Sequence, residues 1–177
     1  IDEIDSIILS RKSEINEGTR RVIGQMLTEI DGFSAEKTGK VIIIAATNRP
    51  WDLDDALLSR FHKKIYIPLP DQKSREIVFE ISLKGAELDS ITEESLSRMS
   101  EGFSGREISV ICREAIMNMI RDMNPDFHDI NPKTLEKCTL KERPLKKEDF
   151  DNAFSKTKKA ADKDTIKKYK EWGSDQS

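Results

Sequence analysis

The sequence predicts an α/β segment followed by an all-helical one. Residues 41–46, Val-Ile-Ile-Ile-Ala-Ala, form a continuous apolar, β-branched run. Such a run suits a strand buried on both faces of a parallel sheet. Beyond Pro68-Leu69-Pro70 the only periodicity is helical. Up to that boundary the order is strand, helix, strand, short helix, strand, which implies parallel βαβ units with right-handed crossovers.

The chain opens with Ile1-Asp2-Glu3-Ile4-Asp5-Ser6, two adjacent acids after the last residue of an expected strand. At the strand ends of phosphoryl-transfer sites, an aspartate holds magnesium, directly or through water. A neighbouring glutamate orients and activates the attacking water. The same pair also suits an acidic N-cap for the helix that follows. Ser10–Glu17 is polar and aperiodic, hence a loop. Gly18–Asp31 places Val22, Met26, Leu27 and Ile30 on one helical face, with Gly32 as the expected stop. Ser34–Lys40 connects to the 41–46 strand, which ends abruptly at Thr47-Asn48-Arg49-Pro50. Asn48 thus arrives at the carboxyl end of a parallel strand, where open α/β sheets bind ligands. A short helix then brings Arg60, in Ala56–Phe61, just before a last strand, Lys64–Ile67.

In the helical part, Asp71–Leu83 shows Ile77, Val78 and Ile81 as its apolar face, and Thr92–Ser100 is a short helix ended by Gly102. Ser104 followed by Glu107 is a capping box. It launches a helix to Met123 with Ile108, Ile111, Cys112, Ala115 and Met119 at helical spacing, stopped by Asn124-Pro125. Pro125–Arg143 reads as a surface excursion. Lys147–Lys159 turns Phe150, Ala153 and Phe154 inward, and Asp164–Trp172 is amphipathic through Ile166, Tyr169 and Trp172.

With 177 residues the chain can form one ordinary domain or two small ones. Charged residues make up 36% of it, with both signs interspersed and a formal net charge of −3. Bulk charge therefore gives no support for a nucleic-acid partner or a membrane surface. The longest apolar run is far short of a membrane span, so no direct insertion is expected. Cys112 and Cys138 are too few and too distant for a disulfide framework or a metal site. They read as reduced thiols of a cytoplasmic protein. His62 and His128 have no ligand-spaced companions. The first residue is not methionine and the chain opens inside a motif, so a piece of a longer protein is expected.

Three stretches together resemble the AAA family of hexameric ATPases, over nearly the whole chain. IDEIDS is similar to the end of a Walker B strand. AATNRPWDLDDALLSRF resembles the second region of homology that distinguishes this family, and EGFSGREISVICREA resembles the start of its lid helix. The resemblance implies the C-terminal half of a P-loop parallel-sheet core (1–70), a helical lid (71–160) and a C-terminal helix and tail (161–177). It implies ATP and Mg2+ as cofactors, with Asp2 holding the magnesium and Glu3 polarising the attacking water. Asn48 would be sensor 1, Arg60 an arginine finger reaching into a neighbouring subunit, and Gly105 the lid backbone bordering the nucleotide. Arg106 reads equally as a solvated first-turn residue and is left out of the site. Identical subunits in a ring, and a protein or peptide substrate passing through its central pore, are the implied partners.

RFHKKIYIPLPD and IKKYKEW resemble the meiotic branch, which includes katanin, spastin and the ATPases that disassemble ESCRT-III filaments. Pro125–Arg143 is too short for the β-rich lid insertion of the eukaryotic members of the last group. Ser10–Thr19 takes the place of the second pore loop, where Arg11, Lys12 and Glu14 either touch a threaded polypeptide or, taken singly, read as solvated loop residues. The chain departs from the family in two respects. Ser59 precedes Arg60, so a second finger cation is missing or replaced by Lys63, which cannot make the same planar contact. No G-x-x-x-x-G-K-S/T occurs, so these residues alone lack a phosphate cradle and should not hydrolyse ATP unaided. A non-catalytic assembly or adaptor-binding module and a proteasome-type unfoldase are the rival readings.

Overall fold

The computed structural model describes residues 1–9, 17–35, 41–53, 55–125, 140–160 and 162–174. The sites proposed for Arg11, Lys12 and Glu14, most of the Pro125–Arg143 excursion, His128 and Cys138 lie outside these residues. The described helices are α1 (Ile4–Leu9), α2 (Glu17–Ala35), a 3-10 turn (Pro50–Asp52), α3 (Asp55–Leu58), α4 (Gln72–Ser82), α5 (Glu93–Met99), α6 (Gly105–Met123), α7 (Lys147–Lys156) and α8 (Lys163–Ser174). They divide into two compact units, Ile1–Tyr66 with Lys167–Ser177, and Ile67–Ile166.

In the first unit, residues 41–47 carry no assigned strand, and neither do 62–70 at its boundary. The expected sheet is represented there by one pairing. The Ile1 nitrogen donates to the Ile44 carbonyl at 2.7 Å and the Ala46 amide donates to the Ile1 carbonyl at 2.8 Å, a parallel register. Burial on both faces is corrected to burial on one. Ile43 and Ala45 pack on a small core of Ile4, Ile30 and Leu57, whereas Ile42 and Ile44 are 84% and 74% exposed. Successive side chains along an extended segment point to opposite sides, so a core on one side covers every second residue.

Helix α2 runs through the expected stop at Gly32 and ends at Ala35. A glycine in a helix interior costs only about 1 kcal/mol relative to alanine. It ends a helix when it takes the left-handed conformation, which Gly85 (φ 91°) and Gly102 (φ 81°) adopt and Gly32 does not.

The second unit is built on α6, which packs against α4 and α7, while α4 packs against α5. Ile108, Ile111, Cys112, Ala115 and Met119 are all buried, as their spacing predicts, and so are Phe150 and Ala153 of α7. Of the apolar face expected for α4, Val78 packs on the core as predicted, and the rest is wrong by a rotation. Ile77 and Ile81 are exposed, and Phe79, Leu83 and Arg75 are buried. Arg75 is accommodated because its guanidinium donates to the carbonyls of Ser97 (3.0 Å) and Pro70 (2.8 Å). Those bonds lift the penalty on a buried cation and leave the Arg75–Phe79 stripe as the inner face. The Ser104–Glu107 capping box forms as predicted, with the Glu107 carboxylate accepting from the Ser104 amide at 2.7 Å. Its other oxygen accepts from the Ala160 amide.

Candidate functional site

The acidic pair lies in a break of the parallel pairing. After the Ile1 bonds, a regular ladder would continue through the Glu3 amide. Instead the Ile4 amide donates to Ala46, at 3.1 Å, so one extra residue is accommodated. Glu3 takes up the difference with φ of 48°, a left-handed conformation uncommon for a non-glycine residue. Asp2 stabilises the turn by accepting the Glu3 amide at 2.9 Å. Both carboxylates are exposed, so the bulge re-aims them away from the small core. The Ile4–Leu9 helix begins immediately afterwards, and the acids sit at its entrance.

The loop that carries Asn48 is tied to the same place. The Thr47 hydroxyl donates to Asp5 Oδ1 at 2.7 Å and accepts the Arg49 amide at 2.9 Å. The Asn48 carbonyl accepts from the Tyr169 hydroxyl of α8. Asn48 itself is exposed. Asp2, Glu3 and Asn48 are therefore brought to one end of the 1–4 and 44–46 pairing. Trp51 and Tyr66 pack on Tyr169, with ring centroids 4.9 Å and 6.3 Å away. Lys168 lies over the Trp51 ring at 3.9 Å. Burial, then the nearby Tyr66 and Asp5, raise the Tyr169 pKa, so the hydroxyl stays a donor at neutral pH.

Arg60 is engaged elsewhere in its own unit. Its Nη2 pairs with Asp31 Oδ2 at 3.0 Å and its Nη1 donates to the Ala56 carbonyl. Its buried Nε has no hydrogen-bond partner among the described residues. Ser59 donates to Ala56, and Lys63 is exposed. Gly105 belongs to the second unit, as the first residue of α6, and a Cβ built on it meets nothing within 4 Å. Arg106 is exposed.

The donor set fits magnesium on one side only. Among the described residues no group of three or more His, Cys, Asp or Glu could hold a metal. Magnesium, however, keeps several waters and takes one or two carboxylates with phosphate oxygens. Asp2 can serve as such a carboxylate, whereas the chain contains no phosphate-cradling loop. Thr47, Asp5 and Tyr169 were not legible as supports of Asn48, because 42 and 121 residues separate the bonded partners. In the sequence Tyr169 showed as an apolar position of an amphipathic helix and within IKKYKEW, the stretch that resembles the C-terminal helix of the meiotic branch.

Residues 1–69 match the ATPase family associated with various cellular activities (AAA), and residues 89–137 match the AAA+ lid domain. Among curated relatives, the chain is 32% identical over 178 residues to spastin of Drosophila willistoni, covering 99% of this chain and 22% of that protein. It is 37% identical over 180 residues to the katanin p60 ATPase-containing subunit A1 of Arabidopsis thaliana, covering 97% of this chain and 34% of that protein. The FIGL-1 AAA domain in complex with ADP superposes with a TM-score of 0.81 at 30% identity, over 99% of this chain and 56% of the other. A katanin structure that describes self-assembly gives 0.73 at 34% identity, over 98% and 57%.

Proposed function

Because the chain belongs to the AAA family of ATPases, as part of its ATPase domain with the lid, we propose that the whole protein hydrolyses ATP and uses the energy to remodel, disassemble or unfold a protein substrate. The observation that carries this is the bulge at Glu3. It brings two exposed carboxylates to the end of the paired segment from which Asn48 emerges. In this reading Asp2 holds magnesium, directly or through water, and Glu3 takes the proton of the attacking water. Asn48 orients that water, and Gly105 leaves room for the nucleotide beside the lid. Bound magnesium would supply charge neutralisation at the phosphates.

Arg60 acts in trans on a neighbouring subunit, since charge developing on a phosphoryl group needs an added cation. A ring of identical subunits, six by family resemblance, then completes each site. Self-assembly of the katanin relative and ADP in the FIGL-1 relative support this assignment. The spastin and katanin similarity favours the meiotic branch over a proteasome-type unfoldase. Among the described residues no helix is long and apolar enough to cross a membrane. A cytoplasmic location is proposed from the thiol usage alone.

The test is Glu3→Gln in the full-length polypeptide. Turnover is expected to vanish while ATP binding and ATP-dependent ring assembly, read by native mass, persist. Unchanged turnover would remove Glu3 from the mechanism. Failure of the wild-type protein to bind or hydrolyse ATP would favour the assembly-module reading.

A further inference from the structure

The helix that carries Tyr169 reaches the Asn48 loop from the far end of the sequence, and the contact is polar as well as aromatic. The Tyr169 hydroxyl donates to the backbone carbonyl of Asn48, not to its side chain. Trp51 and Tyr66 bracket the Tyr169 ring, and Lys168 on the same helix lies over Trp51. On the other side of Asn48, the Thr47 hydroxyl links Asp5 to the Arg49 amide. The loop is thus fixed immediately before, at and immediately after Asn48, while the Asn48 side chain stays exposed. A polar probe aimed into solvent has its direction set by the backbone beneath it. An error of about 1 Å in such a group can cost about 100-fold in rate.

We propose that Tyr169 is a positioning residue for Asn48, acting through the carbonyl bond that the Trp51–Tyr66 bracket holds in place. The inference rests on the reading of Asn48 as the water-orienting residue. It makes the C-terminal helix part of the catalytic geometry, so that undocking α8 uncouples nucleotide turnover without touching the acidic pair.

The experiment compares Tyr169→Phe, Asn48→Ala and wild type in the full-length protein, with Mg2+ and ATP as the probe. Phenylalanine keeps the ring and its packing and removes only the hydroxyl. Tyr169→Phe is expected to lower kcat about 5- to 10-fold with KM for ATP unchanged, the rate equivalent of one ordinary hydrogen bond. Hydrogen exchange at the Arg49 amide should quicken by a similar factor, with the melting temperature held. A purely structural role would lower the melting temperature and leave kcat alone. If Asn48→Ala is inactive but Tyr169→Phe leaves either kcat or Arg49 exchange at wild-type values, the inference is overturned and the site reading stands. If Asn48→Ala turns over normally, the site reading fails and takes the inference with it.

Discussion

Arg60 Nη2 lies 3.0 Å from Asp31 Oδ2, so the cation proposed to act on a neighbouring subunit is held by α2 of its own unit. Asp31 is 55% exposed, and an ion pair so open to water contributes at most about 1 kcal/mol. That is small against the attraction of a phosphoryl group, so in the proposed role the pair is a contact that Arg60 would exchange for the neighbour's phosphate.

Arg60→Ala subunits should therefore fold normally and bind nucleotide in their own pockets, yet fail as neighbours. Fingers of this type are worth ~10³–10⁵ in rate in the GTPases where they were measured. Each Arg60→Ala subunit doped into wild-type rings should silence one neighbouring site, so total ATPase falls in proportion to the fraction doped. A rate unaffected by doping would place Arg60 outside the neighbour's site.

Glu3 holds a left-handed backbone with an exposed side chain. Glu3→Gly relieves that conformation and removes no packing. It should raise stability by about 0.5–1 kcal/mol while abolishing turnover. Chemical denaturation alongside an ATPase assay separates the two effects, and a destabilised Glu3→Gly would contradict the bulge geometry.

Asp149 at the start of α7 is 5% exposed and is gripped by Arg143 at 2.8 Å and 3.0 Å, with the Lys146 amide at 2.8 Å. Burial alone would raise its pKa, but the Arg143 and Lys146 hydrogen bonds outweigh it and the net shift is downward. A carboxylate depressed on folding contributes stability above its unfolded pKa of about 4 and loses it as pH falls through the folded value. The N-cap carboxylates Asp71 and Asp162 are also depressed, chiefly by the backbone amides of Ser74 and Thr165, and act with the same sign. Stability should thus be flat above about pH 5 and fall below about pH 4. Arg143→Ala, which leaves Asp149 buried and unpaired, should cost about 3 kcal/mol at pH 7. Urea titrations across pH check both statements.

Gly173 on α8 lies so close to Tyr66 that a Cβ would stand 3.0 Å from the Tyr66 Cβ. Gly173→Ala gains helix propensity but forces the two elements apart, and overpacking of this kind costs about 1–3 kcal/mol. The emission of Trp51, which borders Tyr169, should shift toward that of exposed indole. Unaltered fluorescence with raised stability would show that the Tyr66 side chain yields.

Cys112 is buried on α6, and desolvation pushes its thiol up to about 12. A thiol so far from ionisation is a poor nucleophile at neutral pH. Peptide mapping after alkylation should find Cys112 unmodified in the native protein and modified once it is unfolded.

The sequence by itself determined the elements whose signals are local. The Ser104–Glu107 box and the Ile108–Met119 spacing fix where α6 begins and which side it buries, because both act over one or two helical turns. The three motif stretches likewise suffice to identify the family, since each is a contiguous string. What only the tertiary structure decided depends on long-range partners. Arg75 turns the inner face of α4 away from Ile77 and Ile81 because carbonyls of Pro70 and Ser97 are there to receive it. Ile42 and Ile44 are exposed because the described core lies on the opposite side of their segment. The support of Asn48 by Tyr169 joins residues 121 positions apart. No periodicity encodes a bond between a helix hydroxyl and a distant loop carbonyl, because it exists only once the chain has closed on itself.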